Sequence, residues 1–326
     1  MPSNIISQIF PAVPAVGIGA TVTFDPGVGK ACVIKCVGSD QAFVTSGANP
    51  FLVSDVEIGL TDGVDSIILN INPVTEVTTR YKKMYIPISH EMQLTLKNTS
   101  GAPANISIFG EYINYFNFIG DIVTIPGGGS IAVDPGNIDY AIRAIGSDVW
   151  TAGPADINPD VQVGFQNAAA TLIASIFWDP TQTCGHDYVD IDIGIRHDCQ
   201  LLFTGAPGVK VGYVGQKASG RVISFITDVA TGIDLPVRPP VNEEWRIRHF
   251  AAEKWGVVGP PVDTPNITVS LKSGANLSNI LEAGLIDEGF FWNPNIDIDF
   301  NNYLNINNAD AADNEIAVIG YATRQF

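Results

Sequence analysis

The chain has 326 residues, of which 46% are hydrophobic, and its 17 Lys and Arg against 34 Asp and Glu give a formal net charge of −17. Phosphate contacts need clustered basic side chains, so this balance argues against direct binding to nucleic acid or to an anionic membrane surface. The sequence contains no run of 18 apolar residues that would predict a transmembrane helix.

The first residues of the chain are apolar but carry no positive side chain. Met1–Gly29 contains no Lys or Arg, and Pro11 and Pro14 interrupt its apolar stretch, so we expect no export signal. Residues 1–13 precede the repeated part of the chain and are too apolar for a free tail. We predict that this N-terminal segment docks on a neighbouring lobe or on another chain. Its candidate partner-binding residues are Ile5, Ile6 and Phe10.

Three sequence blocks recur along the chain in a constant order. The first block occupies Ile34–Asp40, Ile142–Asp148 and Ile247–Glu253. The second block occupies Asp55–Leu60, Asp160–Phe165 and Asn266–Leu271. The third block ends at three glycines that are 105 residues apart both times, namely Gly110, Gly215 and Gly320. This spacing is the size of a domain rather than of a solenoid repeat, so we predict three copies of one module.

The predicted modules are unit one at residues 14–116, unit two at 117–220 and unit three at 221–326. In each unit, apolar residues alternate with polar ones, which is the period of a strand with one buried face. Short strands of this kind, separated by turn clusters, are typical of a β-sandwich, and eight strands favour a jelly roll. We therefore predict an all-β chain of three tandem β-sandwich, jelly-roll-like domains in a pseudo-threefold arrangement. The windows 167–175 and 277–284 are predicted as strand or a single turn.

Lys35, Arg143 and Arg248 occupy the same place in the first block, each directly after an isoleucine. Two interpretations stay open for these cations. They are outward strand residues that favour solubility, or each lobe offers one basic contact to an acidic neighbour. Around a pseudo-threefold axis the three charges would repeat, so we take them as candidate partner-binding residues.

His90 and His197 share one position in units one and two, where unit three has Phe300. A catalytic or metal-binding histidine is not usually exchanged for phenylalanine, so we predict a packing role near a strand kink. An alternative in unit two is a zinc site, although its spacing lacks the pattern of strong zinc signatures. Its ligands would be Cys184, His186, His197 and Cys199.

The remaining polar and sulfur-containing residues predict structure rather than chemistry. Cys32 and Cys36 lie four strand residues apart, about 13 Å, which is too far for a disulfide, so we predict buried free thiols. Asp190 and Asp192 are predicted to form a solvated acidic face, with calcium binding between loops as the alternative. The segment Gly27–Lys30 is a turn without the order of a phosphate-binding loop. We expect no enzyme and no cofactor.

The segments Val241–Phe250 and Tyr303–Tyr321 resemble small jelly-roll virion proteins of tailed bacteriophages, and Leu94–Tyr112 repeats part of the pattern. Proteins of this type usually assemble as threefold trimers, as capsid decoration (cement) proteins, head fibres or tail-tip components. The resemblance implies a single-chain fusion of three such modules. It transfers no catalytic residue.

From these observations we expect a non-enzymatic virion structural protein, first of all a capsid decoration protein that binds the outside of a phage shell. Its negative charge favours a place away from packaged DNA. The expected partners are capsid or tail subunits of the same virion, assembled in the host cytoplasm, and homo-oligomerisation stays open. The alternative is a tail or fibre adhesin that binds a receptor or a glycan through exposed aromatic platforms.

Overall fold

A computed structural model describes residues 7–43, 56–69, 79–99, 101–148, 161–167, 171–172, 191–252, 267–274, 276–283, 291–292, 295–309 and 313–325. These residues form antiparallel strands, apart from loops and a turn of 3-10 helix at Tyr115–Asn117. The predicted all-β class is therefore confirmed. None of the helical structure in these ranges has the length and apolar character that crossing a bilayer requires.

The strands of unit one form two antiparallel layers. They are β1 (Ser7–Val16), β2 (Thr21–Phe24), β3 (Ala31–Phe43), β4 (Val56–Thr61), β5 (Ser66–Leu69), β6 (Thr79–Ser89), β7 (Gln93–Asn98) and β8 (Ala104–Ile113). One layer has the order β1-β8-β3-β6 and the other the order β2-β7-β4-β5. Strand β1 overlaps the predicted N-terminal docking segment and pairs with β8, so that Phe10 lies opposite Ile108. Ile5 and Ile6 lie outside the described residues.

Unit two repeats this strand order. Its strands are β9 (Phe118–Thr124), β10 (Ser130–Val133), β11 (Tyr140–Ser147), β12 (Val161–Gln166), β13 (Thr171–Leu172), β14 (Ile193–Ile195), β15 (Gln200–Gly205) and β16 (Lys210–Lys217). One layer runs β9-β16-β11 with β14 on the far side of β11, and the other runs β10-β15-β12-β13. Each strand of unit two therefore takes the place of the strand eight positions earlier.

Unit three follows the same plan with one strand divided in two. Its strands are β17 (Val222–Val229), β18 (Asp234–Val237), β19 (Glu243–Ala252), β20 (Ile267–Ser273), β21 (Asn276–Ala283), β22 (Phe291–Trp292), β23 (Ile296–Ile298), β24 (Asn302–Asn308) and β25 (Asn314–Gln325). The layers run β17-β25-β19, with β22 and β23 on β19, and β18-β24-β20-β21. The predicted preference for strand over helix in the window 277–284 is confirmed by β21.

The buried apolar side chains fall into three clusters, each drawn mainly from one predicted unit. The fully buried Ile34, Phe165 and Phe250 lie in the clusters of units one, two and three respectively. Burying a side chain of this size contributes about 1.5–3 kcal/mol, so each cluster can stabilise its own pair of layers. Two clusters also include side chains from the following unit. These are Ile122, Ala144 and Val214 of unit two, and Ile226, Ala251, Ala317 and Ile319 of unit three.

Units one and two are also joined through the backbone. Strand β5 pairs with β11, with Leu69 opposite Gly146 and Ile68 opposite Ser147, so that one layer of unit one continues into a layer of unit two as an eight-stranded sheet. A Cβ atom on Gly146 would lie 2.6 Å from the carbonyl oxygen of Ile68. The absent side chain is therefore what lets β5 approach β11 this closely.

Candidate functional site

The three aligned cations lie at the same irregularity of the backbone. The pairing register with the last strand of each unit shifts between Ile34 and Cys36, between Ile142 and Ala144, and between Ile247 and His249. Such a shift marks a β-bulge, in which an extra residue on one strand has no direct partner on the other. The extra residues are Lys35, Arg143 and Arg248. A β-bulge interrupts the alternation of side chains between the two faces of the sheet, so the backbone sets the orientation of these three cations.

The closing glycine of each repeat lies opposite this bulge. Gly110, Gly215 and Gly320 pair with the isoleucines that precede the three cations. A Cβ on Gly215 would lie 2.5 Å from the carbonyl oxygen of Ala141, and one on Gly320 would lie 3.0 Å from the Cα of Ile247. Both approaches are too close for a side chain in units two and three. The bulge thus gives a physical reason for glycine at a fixed repeat position.

Arg143 of unit two and Arg248 of unit three share one carboxylate, that of Asp192. Arg143 Nη1 lies 3.1 Å from Asp192 Oδ1, and Arg248 Nη2 lies 3.5 Å from Oδ2. The Tyr321 hydroxyl donates a hydrogen bond of 2.8 Å to Asp192 Oδ1. The side chains of Asp192 and Arg143 are each 15% exposed, and that of Arg248 is 20% exposed. Units two and three therefore meet at a mostly buried charged cluster.

The predicted solvent-facing position of Asp192 is wrong. Strand alternation correctly places this residue on the face of unit two that points away from its own core. That face is covered, because Gly194 and the Asp192 carboxylate lie against Val222 and Tyr321 of unit three. Asp297 of unit three, by contrast, is 61% exposed and pairs with Arg246 at 2.7 Å. Asp190 lies outside the described residues.

His249 completes the cluster between units two and three. Its Nε2 lies 2.7 Å from the backbone carbonyl oxygen of Asp192, which fixes the proton on Nε2. The ring is fully buried, and this burial lowers the pKa of His249 to about 4, so the ring is neutral at pH 7. Burial, together with the Asp192 carboxylate, raises the pKa of Tyr321 well above its ordinary value, so its hydroxyl stays a donor.

The interface between units one and two uses the same repeat positions with different side chains. The Arg143 guanidinium lies 4.8 Å from the centre of the Tyr85 ring, a cation–π contact. Gln216 Nε2 donates a hydrogen bond of 3.1 Å to the Tyr85 hydroxyl. Tyr85 stands five residues before His90, as Asp192 stands before His197 and Asn295 before Phe300. In both interfaces, the same repeat position therefore supplies the side chain that the cation and the hydrogen-bond donor of the next unit contact.

The cation of unit one lies in a different environment. Lys35 Nζ pairs with Glu111 Oε1 of its own unit at 2.7 Å, and the two side chains are 36% and 32% exposed. An ion pair this exposed contributes about 1 kcal/mol or less, because water and salt screen it. Glu111, Gln216 and Tyr321 are spaced by 105 residues, so the same repeat position again serves each unit. Of the three cations, Arg143 and Arg248 lie between units and Lys35 lies at the surface.

The paired histidines have partners that sequence analysis missed. His90 Nδ1 lies 2.8 Å from Asp25 Oδ2, and His197 Nδ1 lies 3.1 Å from Asp134 Oδ1. Each aspartate begins an Asp-Pro-Gly turn in the loop after the second strand of its unit. The predicted packing role is wrong, because both rings are substantially exposed and make polar contacts. In unit three, Arg238 at the matching turn lies over the Phe300 ring, so a cation–π contact takes the place of the histidine–aspartate contact.

The thiols do not support the zinc alternative in the described part of unit two. Cys199 lies in the buried cluster of unit two, and burial raises the pKa of its thiol to about 12, whereas zinc binds the thiolate. His197 lies at the surface, and Cys184 and His186 lie outside the described residues. The described ranges contain no group of three His, Cys, Asp or Glu residues that could hold a metal. Cys32 and Cys36 form no disulfide among the described residues, and Cys32 is buried as predicted, whereas Cys36 is half-buried.

The chain was compared with protein-family models and with curated proteins, and neither comparison gave a match.

Proposed function

We propose that this chain is a non-enzymatic structural protein of a virion, built from three fused jelly-roll lobes, that binds the outside of a phage shell. The strand orders β1-β8-β3-β6 and β2-β7-β4-β5 of unit one connect eight strands in two layers, as a jelly roll does. The corresponding orders in units two and three follow the same plan. Jelly rolls are used for viral capsid proteins and for lectins, which are the two classes considered for this chain.

The observation that carries the proposal is the repeated contact between consecutive units. Unit one packs against unit two, and unit two packs against unit three, through matching strands and matching repeat positions. The charged cluster around Asp192 and the backbone pairing of β5 with β11 fix the units against each other. Tethering in one chain holds the lobes at an effective concentration of about millimolar, so they dock without assembly from solution. A body of this kind suits a scaffold that binds a shell by its surface.

The charge and the placement of the titratable groups support the same proposal. With a net charge of −17, the protein would be repelled by packaged DNA, which favours an external position. Asp192, His249 and Tyr321 are closely associated titratable groups, and their contacts join units two and three. Their contacts account for their burial without a reaction. The predicted pseudo-threefold arrangement stays a prediction.

The adhesin alternative requires exposed aromatic platforms. Trp245 packs partly against the cluster of unit three and donates a hydrogen bond of 2.7 Å to Glu243, so it is not such a platform. The tryptophans at positions 150, 178 and 255 lie outside the described residues. The described residues also include the exposed aromatic side chains of Tyr112 and Phe116, so the adhesin stays the second candidate.

Particles made by the genome that encodes the chain provide the direct test. We expect mass spectrometry of purified particles to find the chain in a fixed ratio to the major shell protein, and antibody labelling to place it on the outer surface. Purified chain should also rebind saturably to particles from which it has been stripped, whereas an unrelated acidic protein of similar charge should not. Absence of the chain from the particles would refute the proposal, and binding only to host cells would favour the adhesin.

A further inference from the structure

The outward face of the last strand differs sharply between unit one and the other two units. At one repeat position, Phe109 of unit one is 38% exposed, whereas Val214 is fully buried and Ile319 is 1% exposed. Two residues earlier, Ser107 is exposed, whereas the matching Gly212 and Ala317 are buried. The neighbouring third strand shows the same contrast. Cys36 and Gly38 are half-buried, and their counterparts Ala144, Gly146, His249 and Ala251 are buried.

The burial in units two and three comes from the preceding unit. Val214 belongs to the apolar cluster of unit one, and Ile319 belongs to that of unit two. The covering elements are also equivalent, because β5 and β6 of unit one lie against β11 and β16, and β13 and β14 of unit two lie against β25. Gly212 and Gly146 leave room for Ile67 of β5. Each unit therefore offers one face and covers the matching face of the next.

Among the described residues the matching face of unit one is not covered in this way, since Phe109 and Ser107 are exposed there. The face of unit one keeps the features that permit docking. Gly38 and Ser107 are small, as are their counterparts in unit two, against which Ile67 of unit one packs. Phe109 supplies apolar surface. Lys35 and Glu111 form an exposed pair at the edge of this face, where Arg143 with Gln216 and Arg248 with Tyr321 make inter-unit contacts. The matching faces of units two and three are both covered by another unit. A partly exposed phenylalanine within the same face of unit one therefore indicates that a further partner binds there.

We propose that this open face of unit one binds unit three of a second copy of the chain, in the head-to-tail manner by which consecutive units bind within one chain. The elements of unit three that match β5 and β6 are β21 and the divided strand β22 and β23. A face and its complement at opposite ends of one molecule make a heterologous contact, which gives rings if the rotation closes and filaments if it does not. The inference rests on the equivalence of the units and not on a virion role.

The side chain at the matching repeat position of unit three suits this contact. Asn295 is exposed and corresponds to Tyr85 and Asp192, which accept contacts from the next unit. Its amide can donate to the Glu111 carboxylate, while its Oδ1 accepts from Lys35. Oδ1 already accepts a hydrogen bond of 2.8 Å from Arg248 and has a second lone pair for Lys35. The exposed charges of unit one would thereby gain a polar partner.

One part of the interface between units one and two cannot be repeated at this face. In unit two, β14 is short, and β11 pairs with β5 of unit one beyond the end of β14. In unit one, β6 is longer and pairs with the matching part of β3, with Gly38 opposite Tyr81. The contact between two copies would therefore depend on side chains, as the contact between units two and three does. Without a tether it is weaker than the contacts within the chain, so association is expected to depend on protein concentration.

Sedimentation velocity of the full chain over a range of concentrations tests this proposal. We expect reversible association that Phe109→Asp weakens by about tenfold or more, because it places a charge in the centre of the contact. Phe116→Asp is the matched control, since Phe116 is 82% exposed and lies outside this face, and it should associate like the wild type. Asn295→Asp removes the amide donor that would face Glu111 and sets two carboxylates against each other, so it should weaken association, and Glu111→Gln should relieve that loss.

The outcomes separate the possible occupants. A chain that stays monomeric overturns the proposal, and if Phe109→Asp but not Phe116→Asp then lowers its melting temperature, unit three of the same molecule covers the face. Association that is indifferent to both Phe109→Asp and Asn295→Asp places the contact elsewhere and also overturns the proposal. If Phe109→Asp weakens binding to stripped particles while the wild type stays monomeric, the occupant is a shell protein. A particle-free chain that associates as expected upholds the inference even if the virion role fails.

Discussion

The neutral, fully buried ring of His249 makes the contact between units two and three sensitive to mild acid. Burial lowers its pKa from the ordinary value of 6.5 to about 4. As the pH falls below 6.5, the unfolded chain binds the proton before the folded chain does. The stability contributed by neutral His249 is therefore complete above pH 6.5 and is lost progressively as the pH falls to 4. Integrated between these two values, the free energy of unfolding falls by about 2 kcal/mol from pH 7 to pH 5, and by about 3 kcal/mol in full.

Urea unfolding at pH 7 and pH 5 measures this loss when the wild type is compared with His249→Gln. The Gln amide can donate to the carbonyl oxygen of Asp192 as the ring does, but it does not titrate. We expect the wild type to lose about 2 kcal/mol more than the variant between the two pH values. Carboxylates that titrate in this range are shared by both proteins and cancel. Phe116→Ala, at an exposed side chain that does not titrate, is the control and should keep the wild-type loss. Equal losses in the wild type and His249→Gln would refute the reasoning.

Three further outcomes follow from the same contacts. Gly320→Ala should destabilise unit three by about 1–3 kcal/mol in urea unfolding, because its Cβ meets backbone atoms, whereas Gly101→Ala, in open space, should be nearly neutral; equal effects would count against the bulge. Asp192→Ala should cost about 3–5 kcal/mol, because it leaves two cations without their shared acid, and Asp297→Ala about 1 kcal/mol or less; the reverse order would contradict the buried cluster. Cys199 should resist iodoacetamide at pH 8 until the chain is unfolded, as peptide mapping by mass spectrometry would show, since burial raises its pKa to about 12; rapid labelling of the folded chain would show that its thiol is accessible.

The repeat could be predicted from the sequence because similar blocks recur at a nearly constant spacing, which needs no structure to detect. Alternation identified the strands, and alignment of the repeats drew attention to Lys35, Arg143 and Arg248, whose role in binding a partner stays a prediction. The bulge that carries them could not be predicted, because a register shift is a property of two paired strands. Only the recurring glycine at 110, 215 and 320 hinted at it, since a glycine at a fixed repeat position indicates a close backbone approach.

The charged cluster between units two and three was beyond sequence analysis for a different reason. Alternation tells which side of a strand a residue occupies, but it does not tell what covers the outer side. Asp192 was therefore predicted to face solvent, although unit three covers it. His249 carried a usable signal, because it stands in the recurring first block where units one and two have Cys36 and Ala144. A polar residue at a position that is otherwise small and apolar indicates a specific local partner.

In every unit the first strand pairs with the last one, β1 with β8, β9 with β16, and β17 with β25. A unit thus cannot complete its layers on the ribosome until its final strand has emerged, which takes roughly 5–20 s for about 100 residues. The nascent lobe keeps open sheet edges during that time. Unit one is finished before β11 exists to pair with β5, so the lobes can mature in the order of translation. Vectorial synthesis thereby offers each new lobe a finished template and reduces strand exchange between similar copies.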